Sequence, residues 1–169
     1  MIKENKFSLC FAKNGGYFFI GSVNNTFHKE EINYISYENS RNLYSVKLND
    51  IQVNNLNLEI SNEYFSIIDS GTTVSYFPVN IFNKIKQYIY NYCSQVNKCL
   101  GDYFESDLGI CFKLKININY IQFMESMPKL NFIFENKINY YWNADSYLFN
   151  DTDEREKRKV YCMGFVSWE

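Results

Sequence analysis

The 169 residues carry 17 basic and 19 acidic side chains, a net charge of -2 that offers neither nucleic acid nor an anionic membrane surface much to hold. The length suits one domain with a sizeable core, or one lobe of something larger. No apolar run approaches the roughly 20 residues of a membrane helix, and the opening Met1-Ile-Lys-Glu-Asn-Lys is too polar for a signal peptide, so the targeting signal of a secretory protein would lie outside this stretch.

Phe7 to Phe11 and Gly16 to Gly21 read as two strands around Lys13-Asn14-Gly15, where Asn-Gly signals a tight hairpin. Residues 24–40 are polar with scattered aromatics and hold the lone histidine, His28. With no Ser or Cys nucleophile in a triad context beside it, it reads as a solvated loop residue. Leu43 to Leu48 alternates, with Tyr44, Val46 and Leu48 on one face and Ser45 and Lys47 on the other. Ile51 to Val53 and Leu56 to Ile60 follow as further strands, split by an Asn54-Asn55 turn.

Tyr64 to Ile68 is an apolar run of strand character that ends at Asp69, followed by Ser70, Gly71, Thr72 and Thr73. Such a strand delivers a carboxylate to a sheet end. A glycine bend there lets nearby N–H groups and the hydroxyls of Ser70 and Thr72 converge on it, which would hold an ionised acid in a partly buried place. As a bare tripeptide, Asp-Ser-Gly is an ordinary turn.

After Pro78 the apolar spacing turns helical, with Ile81, Phe82, Ile85, Tyr88, Ile89 and Tyr92 on one face, predicting a helix over roughly 80–92 with Asn80 as its N-cap. Cys93 and Cys99 flank a span short enough for a local bridge. Strand-like segments follow from Gly109, over Leu130 to Phe134 after Met127-Pro128, and over Ile138 to Trp142 as a second hairpin. Asp145 to Phe149 then leads to a charged loop, 151–159, read as solvated, and to Val160 through Phe165.

The five cysteines, Cys10, Cys93, Cys99, Cys111 and Cys162, contain no C-x-x-C pair and have one histidine for company, so no metal site and no cofactor is expected. They read either as free thiols of a reducing compartment or as disulfides. Asn-x-Thr triplets at Asn24 and Asn150 are glycosylation sequons, though an Asn-rich chain produces such triplets by chance.

The string from Tyr64 to Pro78, with two apolar residues before Asp69, Ser70-Gly71-Thr72-Thr73 after it and Pro78 five residues on, resembles the second active-site motif of the pepsin-like aspartic proteases. The order of the opening Phe-Ser-Leu hairpin, the helix after the motif and the late cysteine strands is similar to that family's C-terminal lobe. The plasmepsins are nearest in flavour, in particular their divergent branch with extra cysteines. The resemblance implies an all-β fold with a few short helices, a lobe of closed, orthogonal, barrel-like sheets, and residues 1–169 as a partial C-terminal lobe.

It also implies roles. Asp69 would be a catalytic aspartate, supported by Ser70, Gly71 and Thr72, with Gly71, Thr72 and Thr73 facing a bound peptide. Cys111 and Cys162 would form a disulfide, and Cys10 would have its partner outside the chain. The expected partners are a peptide or protein substrate and an N-terminal lobe of the same protein carrying the second aspartate, with localisation in the secretory pathway. The fragment alone is expected to be inactive. The alternatives are a non-catalytic pepsin-fold binding or inhibitor protein and a retropepsin-like homodimer.

Overall fold

A computed structural model describes residues 4–12, 14–28, 31–38, 43–60, 64–107, 109–152 and 157–168. The chain forms two compact units, residues 1–34 and 35–169.

In the first unit β1 (Phe7–Ala12) pairs antiparallel with β2 (Gly15–Ile20), from Phe7 opposite Ile20 to Ala12 opposite Gly15. The hairpin is tighter than the sequence suggested. Gly15 is already the first residue of β2, at φ 131°, and Lys13 lies outside the described residues. Gly16 is needed for a different reason, since a Cβ there would stand 2.4 Å from the Cys10 carbonyl oxygen. Past β2, Asn24 caps a short 3-10 turn that stacks Phe27 on Tyr17, ring centroids 5.1 Å apart. His28 follows it, exposed.

The second unit is built on β4 (Ser45–Val53), which pairs with β3 (Tyr37–Glu38), β5 (Leu56–Asn57) and β6 (Tyr64–Ile67). The two strands read from the sequence, 43–48 and 51–53, are one. Its further partner, β10 (Leu130–Phe134), pairs Ile133 with Asp50 but Phe134 with Leu48, leaving Asn49 as a bulge. That extra residue shifts the two-residue period by one, so Val46 and Leu48 before it and Ile51 and Val53 after it are all buried. Asn54 and Asn55, at φ 48° and 67°, make the turn to β5, the left-handed pair that a two-residue hairpin of type I′ demands.

Beyond β6 come β7 (Ser75–Pro78) and α1 (Val79–Cys93). The helix starts one residue earlier than the spacing suggested, with Pro78 at its N-cap position. Asn80 is not the cap. Its side-chain amide donates to the Tyr64 hydroxyl at 3.2 Å, tying α1 to β6. Ile81, Ile85 and Ile89 face the core, as an apolar stripe of period 3.6 must.

β8 (Gly101–Ser106) and β9 (Gly109–Leu114) form a hairpin, followed by α2 (Tyr120–Ser126), whose N-cap Asn119 and N3 residue Gln122 bond each other's backbone N–H. β10 turns back as β11 (Asn139–Trp142). Then α3 (Ala144–Tyr147) leads into β12 (Leu148–Asn150) and β13 (Val160–Met163), which lie in the order β12-β13-β9-β8. Buried Tyr147 donates to the Pro128 carbonyl at 2.6 Å, fixing α3 to the approach of β10. β14 (Phe165–Trp168) runs parallel to β7, Phe165 opposite Ser75. The core of the unit, centred on Ile51, Ile85, Phe112, Phe123 and Leu130, packs these sheets on α1. The fold is thus mostly strands with a few short helices, as a pepsin-like lobe requires.

Candidate active site

β6 runs antiparallel to β4, and the ladder continues one residue past it through the Ile68 N–H to the Tyr44 carbonyl at 2.8 Å. Asp69 is the next residue, so the sheet fixes its backbone while its side chain leaves the ladder. The turn that follows closes on its own carboxylate. The Gly71 N–H donates to Asp69 Oδ1 at 2.8 Å and the Thr72 hydroxyl donates to Oδ2 at 2.5 Å. Glycine eases this approach, because a Cβ at position 71 would stand 3.3 Å from Oδ1, a tight contact that the carboxylate would have to relieve by a small shift.

Ser70 is exposed, and among the described residues its hydroxyl makes no bond to the carboxylate, contrary to the convergence of both hydroxyls expected from the sequence. Thr73 is exposed as well. Asp69 itself is exposed rather than partly buried. The Thr72 hydroxyl first, then the Gly71 N–H, hold its pKa below the ordinary carboxylate value against a small opposing effect of desolvation. Each carboxylate oxygen thus has one donor, and both donors favour the charged form of the group.

The elements on either side are pinned to each other. β7 leaves the turn with the Ser75 N–H on the Gly164 carbonyl at 2.8 Å, and the Asn80 bond joins the start of α1 to β6. The strands that flank the turn also carry exposed apolar side chains, which the motif alone did not indicate. Phe65, Ile67 and Ile68 before Asp69 and Tyr76 after it are all more than half exposed. The signal was present in the order of residues 64–68, where the apolar Phe65 and Ile67 fall on one face of the strand and Ser66 on the other, and the exposed face is the apolar one. Among the described residues, no three His, Cys, Asp or Glu side chains stand together where they could share a metal ion.

Two disulfides brace the unit. Cys93 at the end of α1 bonds Cys99, with Cα atoms 4.9 Å apart. Cys111 in β9 bonds Cys162, its direct cross-strand partner in β13. Cys10 is free and half-buried in β1.

Residues 1–168 match the family described as "Eukaryotic aspartyl protease", and the chain belongs to that family. Among individual proteins it is similar to plasmepsin V of Plasmodium falciparum, in isolates 3D7 and NF54, at 23% identity over 148 residues in both cases. The matched stretch is 72% of this chain, and the chain spans about a quarter of the length of these curated relatives, 24% of each.

Proposed function

We propose that this chain supplies one catalytic aspartate, Asp69, to a two-lobed aspartic endopeptidase, the second coming from an N-terminal lobe of the same protein. Membership of the family supports the chemistry. The observation that carries the assignment is the Asp69 carboxylate at a sheet end, with one hydrogen-bond donor on each oxygen. The motif Asp-Ser/Thr-Gly occurs once in the sequence, at 69–71, whereas the reaction needs two carboxylates sharing one proton over a water molecule.

Like charges a few ångströms apart do not both ionise cheaply, so one carboxylate of the pair keeps a proton. The donors at Asp69 favour its anion. Asp69 therefore takes a proton from the water as its oxygen attacks the scissile carbonyl, while the protonated partner hydrogen-bonds the carbonyl oxygen. The tetrahedral intermediate then collapses as a proton passes to the leaving nitrogen. Gly71 and Thr72 orient the Asp69 carboxylate, Ser70 links the two active-site loops, and Gly71, Thr72 and Thr73 border the bound peptide. Phe65, Ile67 and Tyr76, on the strands either side of the turn, are exposed apolar side chains. The two disulfides support folding in an oxidising compartment, the secretory pathway.

The test is hydrolysis of fluorogenic peptides at acid and neutral pH. Turnover sensitive to pepstatin is expected from the full-length protein and not from residues 1–169 alone. Turnover by the isolated chain would contradict the two-lobed reading, and a mass of two chains in solution would then point to a homodimer. A folded full-length protein without turnover would contradict the endopeptidase reading itself.

A further inference from the structure

We infer that Asn150 is an acceptor for an asparagine-linked oligosaccharide, a modification site apart from Asp69 that rests on the secretory compartment proposed above. Asn150-Asp151-Thr152 has the required order of asparagine, a residue other than proline, and a hydroxyl residue. Asn150 is the last residue of β12, at one end of the sheet order β12-β13-β9-β8, and it is exposed. Immediately after it the chain turns back on the asparagine side chain. Thr152 donates to Asn150 Oδ1 twice, from its N–H at 3.1 Å and from its hydroxyl, and that hydroxyl accepts the Val160 N–H at 3.0 Å.

The amide is therefore held by its oxygen, whereas Nδ2 donates to no acceptor among the described residues. The nitrogen that must react is thus the end of a fixed side chain that no described acceptor holds. The site lies beside one of the disulfides on which the compartment reading rests, because Phe149 and Asn150 pair with Cys162 and Tyr161, and Cys162 is disulfide-bonded to Cys111. A hydrophilic glycan at this corner would also cover the outer edge of β12, an edge that proteins otherwise have to protect from strand pairing. Asn24 heads the same kind of turn with Thr26, but it is half-buried and caps the 3-10 turn that carries Phe27.

In the reaction, Asn150 Nδ2 attacks the anomeric carbon of a saccharide carried on a lipid pyrophosphate. The carbon–nitrogen bond forms, the bond from that carbon to the phosphate oxygen breaks, the lipid pyrophosphate leaves with the electron pair, and one Nδ2 proton passes to a base of the transferase.

The test uses the whole protein purified from its own cells, digested, treated with peptide-N-glycosidase in heavy-oxygen water and read by mass spectrometry, with disulfides mapped in the same sample. The expected result is heavy-labelled aspartate at position 150 and Cys111 linked to Cys162. Asn150→Gln and Thr152→Ala should each remove one glycosidase-sensitive step in gel mobility, and Thr152→Ser should retain it. Unlabelled Asn150 beside an intact Cys111–Cys162 bond overturns the site while leaving the compartment reading standing. Free thiols at Cys111 and Cys162 overturn the compartment reading, and the site with it.

Discussion

At Asp69 each carboxylate oxygen accepts one hydrogen bond, and both bonds strengthen when the group is charged. Replacing Thr72 by Val removes the larger influence, so the Asp69 pKa should rise toward the ordinary carboxylate value, whereas Thr72→Ser should leave it low; carboxyl-carbon NMR titration reads both. The sign for stability follows. A carboxylate with a depressed folded pKa stabilises the fold above its unfolded pKa, and that contribution is lost as pH falls through the folded one. The bonds from Gly71 and Thr72 to the Asp69 carboxylate were legible from the motif, because a tight turn brings an N–H and a hydroxyl two and three residues on within reach of the carboxylate. Ser70 was read less well. A hydroxyl next to a carboxylate in sequence does not have to point at it, and here the backbone donor of Gly71 occupies that role.

Among the elements, the hairpins and α1 were legible because their apolar residues repeat at 2 and 3.6 and their turns carry Asn or Gly. Asn55 gives this a measurable form. At φ 67° it occupies the left-handed region, where a β-branched side chain is strained. Asn55→Val should cost about 1–2 kcal/mol and Asn55→Gly little or nothing, read from denaturation midpoints. What stayed hidden has physical reasons. β8 is largely exposed and shows no apolar alternation to detect. α2 is only seven residues long, and its one available signal was the Asn119–Gln122 capping box. The parallel pairing of β14 with β7 joins residues 165–168 to 75–78, a long-range choice that no local pattern encodes. The bulge at Asn49 hid the unity of β4 by breaking its period.

For the molecule as a whole, the disulfides differ in how much chain they constrain, with sequence separations of 51 for Cys111–Cys162 and 6 for Cys93–Cys99. Loop-closure entropy then gives about 4 kcal/mol for the long loop and about 2 kcal/mol for the short one. Converting both partners of each pair to alanine should lower the unfolding free energy in that order, with equal losses or a reversed order counting against this account. The long bond joins β9 to β13, and β13 leads through Gly164 to β14, the partner of β7 just beyond the Asp69 turn. Loosening it should therefore reach the site through the sheet.

The most direct test of the account is turnover of a peptide substrate by the full-length protein, comparing wild type with Asp69→Asn at matched thermal stability. kcat should fall by at least about a hundredfold, the scale expected when a positioned proton acceptor is lost. A stable, folded Asp69→Asn protein that keeps the wild-type rate would contradict it.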